Sequence, residues 1–235
     1  MPAPRAPLAA ADDHVKLWDL PVRLVHWAIV VLLPWQWWTH ETNDIELHKL
    51  LGYVTLGLVV FRLLWGVVGS STARFGHFVK GPGGIGAYLR ALRANASEPV
   101  VGHNPLGGWS VIALLALLTA QVALGLFAQD VDGIESGPLS YLVSYDQADA
   151  AREWHETVFN LMLAAIALHV VAIVWYLAVK RDNLLAPMIT GRKRFDPPVQ
   201  PPALAAPWRM VPCAFAAAAF AWWIALGCPL PGATG

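Results

Sequence analysis

Long apolar runs, broken by short polar or proline-containing segments, dominate this chain. Five stretches reach the length of about 20 mostly apolar residues that a bilayer-spanning helix needs. They cover approximately 21–39, 48–69, 107–128, 154–179 and 208–227. Pro34 lies inside the first and is expected to bend that helix without ending it. In the long connection at 70–106, Ile85 to Leu92 carries apolar residues at helical spacing, with Arg90 and Arg93 on the other face. This pattern predicts a short helix lying in the membrane surface. Pro197 to Pro207 reads as a proline-rich linker ahead of the fifth run. The start of the chain has no apolar core before Asp12 and Asp13, so residues 1–15 read as a flexible tail and not a signal peptide.

Composition agrees with the pattern. Hydrophobic residues make up 57% of the 235 residues, charged residues 14%, and mean hydropathy is +0.49. An average soluble domain carries roughly 25% charged residues. A disordered chain, a nucleic-acid-binding module and an ordinary cytosolic globule are therefore excluded. Net charge is zero, but its distribution is lopsided. The N-terminal residues through Arg23, the 70–106 loop, the 180–209 segment and Arg62 place 14 of the 16 basic residues on one side of the predicted spans. The other side has only Lys49 and Arg152 among many acids, including Glu41, Asp44, Glu46, Asp130, Asp132, Glu135, Asp146, Asp149, Glu153 and Glu156. Cytoplasmic loops collect Lys and Arg. The expectation is an inner-membrane protein with a cytoplasmic N-terminus and a periplasmic C-terminus. The twelve tryptophans fall toward span ends, where an indole ring is half buried and its N–H reaches water.

Of eight histidines, His14, His40 and His77 read as solvated or interfacial, and His103 lies at the cytoplasmic entry to the third span. His26, His48, His155 and His169 lie in or at the rim of spans, where ionisable groups are expensive and usually functional. His155 and His169 are 14 residues apart, so they share one helix face at depths about 21 Å apart. Depth then pairs His26 with His169 on the cytoplasmic side and His48 with His155 on the outer side. Two imidazoles facing each other can hold a haem iron from both sides, a state suited to electron transfer because no coordination position is open. A zinc site would want three or four ligands at one depth. A proton relay would normally add buried acids. Arg23 and Arg62 lie near the inner pair, and Lys49 and Arg152 near the outer pair, as candidate partners for haem propionates.

Two other features carry little. Gly81, Gly83 and Gly86 match GxGxxG, but Pro82 interrupts the motif and no strand is predicted before it. Cys213 and Cys228 are 15 residues apart on one predicted helix, too far to pair, and no CxxC or CxxCH occurs.

The segment Trp18 to Trp27 (WDLPVRLVHW) resembles the opening of the prokaryotic cytochrome b561 family, which includes the cytochrome b subunits of membrane-bound nickel–iron hydrogenases. His48 with Gly52 (HKLLGY), Phe61 to Trp65 (FRLLW), Trp154-His155-Glu156, His169 and Asn183 to Lys193 (NLLAPMITGRK) extend the resemblance over about 16–194. It implies an all-α integral membrane protein: a four-helix transmembrane bundle holding two b haems, with His26, His48, His155 and His169 as axial ligands. This chain adds a fifth C-terminal transmembrane helix within 195–235, after the linker.

The expected function is electron transfer in a respiratory chain between the quinone pool and a periplasmic redox partner. A c-type cytochrome with a basic patch suits the acidic outer face, and a hydrogenase-like protein is a second candidate. Quinone is expected near the cytoplasmic haem, where His103, Asn104 and Tyr88 bring polar groups to the membrane edge. One alternative is a stand-alone superoxide:quinone oxidoreductase, which the acidic outer face disfavours by repelling the anion. Another is a haem-free metal or proton transporter. The fifth helix is a candidate contact in an oligomer or larger complex.

Overall fold

The computed structural model describes residues 14–94, 100–196 and 198–229. Its helices are α1 (Leu20–Glu41), α2 (Ile45–Val68), α3 (Phe75–Phe78), α4 (Pro82–Arg93), α5 (Pro105–Phe127), α6 (Tyr145–Ala178), α7 (Leu185–Thr190) and α8 (Met210–Ala225). Most of the long helices start on side-chain caps, which satisfy backbone N–H groups that have no partner inside the helix. Asp19 accepts from the Val22 N–H at 3.0 Å, Asp44 from Leu47 at 3.2 Å and Asn104 from Gly107 at 2.7 Å. Ser144 and Gln147 form a reciprocal capping box at the start of α6.

That capping box explains the largest departure from the expected spans. The fourth run was expected at 154–179, but α6 begins at Tyr145 and is 34 residues long. At 1.5 Å per residue it measures about 51 Å, well beyond a hydrocarbon core of about 30 Å. Its polar first turns, with Asp146, Asp149 and Arg152, continue the helix outside the apolar stretch. His48 and His155 therefore sit inside helices instead of starting them.

Among the described residues, four helical segments are long and apolar enough to cross a membrane: α2, α5, α6, and α8 with the turn before it. The protein is thus a multi-pass membrane protein. The remaining expected span is α1, which has the length, 22 residues, and runs unbroken through Pro34. Arg23, His26, Gln36 and His40 dilute its apolar character.

α2 is the central helix. It packs against α1, α5 and α8, and α6 lies along α5. Small residues let α8 approach: a methyl group at Gly57 would stand 3.7 Å from the Ala221 side chain. At mid-depth, buried Val59, Leu118 and Met162 join α2, α5 and α6, with Ile29 and Leu33 of α1 beside them. The surrounding surface is apolar, as lipid contact requires; Leu168 is 71% exposed and Phe215 76%.

The N-terminal end of α1 is tied down by the segment that follows α6. β1 (His14–Lys16) pairs antiparallel with β2 (Arg192–Arg194), His14 opposite Arg194. His14 and Val15 of the expected tail are thus part of a strand, and residues 1–13 lie outside the described residues. Leu17 and Trp18 donate their N–H groups to the Gly191 carbonyl at 2.8 and 3.2 Å. Gly191 has φ +81°, a conformation that suits glycine. Thr72 donates to the Leu17 carbonyl at 2.9 Å, bringing in the connection after α2. The surface helix expected at 85–92 is α4, a helix with no buried residue.

Candidate functional site

The four histidines lie on three helices: His26 on α1, His48 on α2, and His155 and His169 on α6. The rings of the outer two are neighbours, with centroids 6.3 Å apart and planes at 74°. Two imidazoles, each with a nitrogen about 2 Å from a shared metal atom, have centroids about 6 Å apart. His48 and His155 therefore stand at the spacing of a two-sided imidazole complex.

Both outer rings are held from behind. His155 Nδ1 donates to the Gln121 carbonyl at 2.9 Å. His48 Nδ1 donates to the Gln36 carbonyl at 3.0 Å, with Thr39 Oγ1 at 3.3 Å. A carbonyl can only accept, so these bonds place hydrogen on Nδ1 and leave the lone pair on Nε2. Such an outer bond orients a ligating imidazole and raises its basicity. α5 makes room for His155 at Gly125, where a methyl group would stand 2.9 Å from the ring's Cε1.

The basic residues expected beside this pair already have acidic partners. Lys49 bridges Glu46 and Glu135, each at 2.8 Å, and Arg152 contacts Asp149 at 2.7 Å. His40, expected to be solvated, is exposed, yet its ring centroid lies 6.2 Å from that of His48. Among the described residues no three His, Cys, Asp or Glu side chains assemble as a metal-ion site. Cys213 and Cys228 are both free thiols.

The inner pair is less tightly drawn together. His26 and His169 are within electrostatic reach of one another. His26 packs edge-on against Trp27 at 5.0 Å, and its Nδ1 is shut off from water with no hydrogen-bond partner. Two arginines border this level. Arg62 is only 7% exposed, donates to the Ala73 carbonyl at 3.3 Å and lies over the Phe75 ring at 5.0 Å. It stands 14 residues after His48 on α2, the spacing that separates His155 from His169 on α6. Arg23 donates to the carbonyls of Met188 and Ile189 at the end of α7. Buried Asp19, which accepts from Trp65 Nε1 at 2.9 Å, partly offsets the charge of Arg62.

His103 is the residue whose setting the sequence revealed least. Trp18 and Phe78 clasp its ring, each with centroids 4.6 Å away. Its Nδ1 is shut off from water and unpartnered. Burial, followed by the nearby charges of Arg62 and His169, pushes this imidazole down to about 4, so it is neutral at pH 7. Next to it, Asn104 donates to the Tyr176 hydroxyl at 2.9 Å, and that hydroxyl meets Tyr88 of α4 at 2.7 Å. Burial, then the Tyr176 hydrogen bond, pushes the Tyr88 hydroxyl upward. Tyr176 is seven residues beyond His169 and so shares its face of α6.

Comparison with known proteins places the chain. A family model described as prokaryotic cytochrome b561 matches residues 17–191, or 175 of 235 residues. The chain belongs to the prokaryotic cytochrome b561 family. Membership means b-haem binding and transmembrane electron transfer, and the matched span includes His26, His48, His155 and His169. It stops before α8, so the C-terminal helix stands outside the family core. No curated protein and no solved structure matches the chain.

Proposed function

We propose that this cytochrome carries single electrons across the bacterial inner membrane through two b haems, between the quinone pool and a periplasmic redox protein. His48 and His155 would hold the outer haem, and His26 and His169 the cytoplasmic one. The single observation that carries this reading is the outer pair: two imidazoles 6.3 Å apart, both with Nδ1 engaged by main-chain carbonyls. When bound, a bis-histidine haem supplies one-electron exchange at an iron with no open coordination position.

The chain's own residues do the rest. Arg62 and Arg23 are candidates for the propionates of the inner haem, and Lys49 and Arg152 for those of the outer one. The latter two would exchange a carboxylate of the protein for one of the haem. Gly125 gives the His155 ring its place against α5. At the cytoplasmic edge, the unpartnered His103 Nδ1 and the Asn104–Tyr176–Tyr88 cluster supply hydrogen-bonding groups for a quinone head group. The charge asymmetry supports a cytoplasmic N-terminus and a periplasmic C-terminus. The acidic rim then faces a cationic c-type cytochrome or a hydrogenase-like partner.

The test is the spectrum and haem content of the purified full-length protein. A reduced b-type spectrum with two haems per chain is expected. His48→Ala and His155→Ala should remove one component, and His26→Ala and His169→Ala the other. A colourless protein, or loss of the same component from His26→Ala and His48→Ala, would overturn the assignment.

A further inference from the structure

Away from the histidines, a cavity of about 510 Å³ opens where the end of α6, α7 and the β1–β2 pair meet. Its volume is in the range of small-ligand sites. Arg192, Lys193 and Arg194 line it, with His14, Thr190 and Asp182. Asp182 is the one acid among the lining residues, and it is bridged to Lys193 at 2.7 Å. Three basic side chains against one acid leave the lining with a formal excess of positive charge. The strand register adds to it. Lys16 stands opposite Arg192 and His14 opposite Arg194, so Lys16, Arg192 and Arg194 share one sheet face, while Val15 and Lys193 take the other. Like charges directly opposite on a sheet repel, and an anion held by the two arginines would relieve that repulsion.

The rim of this cavity is apolar. Ala186 and Thr190 of α7 line the cavity, while Leu185 and Ile189, each one position earlier and about 100° round the helix, are exposed. Val179, at the end of α6, is exposed as well. Trp175 lies seven residues before Asp182, and tryptophan marks the membrane interface. A basic hollow beside an apolar, lipid-facing edge matches the two halves of a phospholipid, and basic pockets beside transmembrane helices recognise phosphorylated lipid head groups. A free anion would make no use of that edge.

We propose that this cavity binds the phosphate of an anionic phospholipid, with Arg192 and Arg194 as the recognising side chains and the acyl chains lying along Val179, Leu185 and Ile189. A guanidinium fork suits phosphate oxygens, which it can grip two at a time. The site is separate from electron transfer, yet it reaches α1. Leu17 and Trp18 donate to the Gly191 carbonyl beside β2, and Arg23 donates to the carbonyls of Met188 and Ile189 on α7. A lipid held here fastens α7 and β2 around the start of the helix that carries His26.

The test is thermal unfolding of the purified full-length protein, delipidated in a neutral detergent and titrated with phosphatidylglycerol, phosphatidylcholine or glycerol 1-phosphate. Phosphatidylglycerol should raise the unfolding midpoint to a plateau, because a ligand of the folded state stabilises it. Phosphatidylcholine and glycerol 1-phosphate should not. A basic group near an anionic lipid contributes about fivefold to binding, so Arg192→Gln with Arg194→Gln should raise the half-saturating phosphatidylglycerol concentration about 30-fold. Arg90→Gln with Arg93→Gln removes as much charge from α4, outside the cavity, and should leave that concentration unchanged. Should the double variant of β2 fail to accumulate, Arg194→Gln alone carries the test, with a shift of about fivefold. Equal shifts from the β2 and α4 pairs would mean diffuse attraction to a charged surface. An equal rise with glycerol 1-phosphate would mean a free phosphate ligand. Either result, or an equal rise with phosphatidylcholine, would overturn the proposal.

Discussion

Gly125 is where a single methyl group should distinguish a built haem site from ordinary helix packing. In Gly125→Ala the new Cβ would lie 2.9 Å from His155 Cε1 and 3.2 Å from its Nδ1. Carbon atoms pack comfortably at about 3.5–4.0 Å, so the ring must retreat by about 0.6 Å or more. Its Nδ1 bond to Gln121, now 2.9 Å, then approaches the limit beyond which such a contact ceases to be a hydrogen bond. Disturbing the outer partner of a metal-bound imidazole typically costs about 10–100-fold in metal affinity. That corresponds to about 1.4–2.7 kcal/mol. Haem content of the purified variant, assayed against protein, should fall from two per chain toward one, with the outer spectral component lost. Gly57→Ala is the control, because its methyl would meet Ala221 at an ordinary 3.7 Å and should leave both haems in place. Full haem content with unshifted potentials in Gly125→Ala would refute the placement of His155 as an outer ligand anchored on α5.

Three further outcomes are expected. His103 has a pKa of about 4 against 6.5 when exposed, so the unfolded chain gains a proton between pH 6.5 and 4 that the folded chain does not. Stability should fall as pH drops through that window by at most ~3 kcal/mol, and His103→Phe should remove this part of the slope in detergent unfolding at pH 7 and pH 5. Equal pH dependence in both proteins would show that the imidazole is not held neutral. Electron transfer to a basic c-type cytochrome should slow as salt rises, because exposed charges are screened over about 10 Å at 0.1 M. Replacing Asp130, Asp132, Asp146 and Asp149 by their amides should flatten that dependence with both haems retained; a rate indifferent to salt and to these changes would exclude electrostatic docking. Reporter fusions after Gly191 and after Gly235 should report opposite compartments, and identical compartments would mean that α8 does not cross.

What was legible in the sequence was whatever helix periodicity converts directly into depth. The 14-residue interval from His155 to His169 survives intact because an α-helix has a fixed rise, and the apolar runs located α2, α5 and α8 to within a few residues. The start of α6 was not legible: hydropathy registers the apolar part of a helix, and Tyr145 to Glu153 is polar helix set by a cap. The anchors of the outer histidines were also hidden. They are main-chain carbonyls at Gln36 and Gln121, and no side-chain pattern announces a carbonyl. His103 was noticed as a polar group near the membrane edge, but its burial depends on Trp18 and Phe78, which reach it from two other segments. The β1–β2 pair was missed because three-residue strands carry no alternation to read.

The same periodicity explains why electrons and not protons should cross. His155, Met162, His169 and Tyr176 succeed one another at seven-residue intervals on α6, and His48, Thr55 and Arg62 do so on α2. Seven residues is nearly two helical turns, so each series stays on one face with only about 20° of drift per step. At the midpoint of these faces there is no ionisable side chain. Met162 is 1% exposed, Val59 2% and Leu118 5%, and the Thr55 hydroxyl donates to the Leu51 carbonyl of its own helix at 2.9 Å. Met162 is about 10.5 Å along the axis from each histidine of α6. A layer of this composition offers water few hydrogen-bonding partners, and a water needs two to four. With two haems in place, an electron would therefore cross a dry partition that a proton cannot follow. On the proposed function, protons taken up by a quinone would come from the side where His103, Tyr88 and Tyr176 lie. An electron passed between the two proposed haem levels would then move negative charge across the membrane, and the apolar layer is as necessary to that separation as the histidines on either side of it.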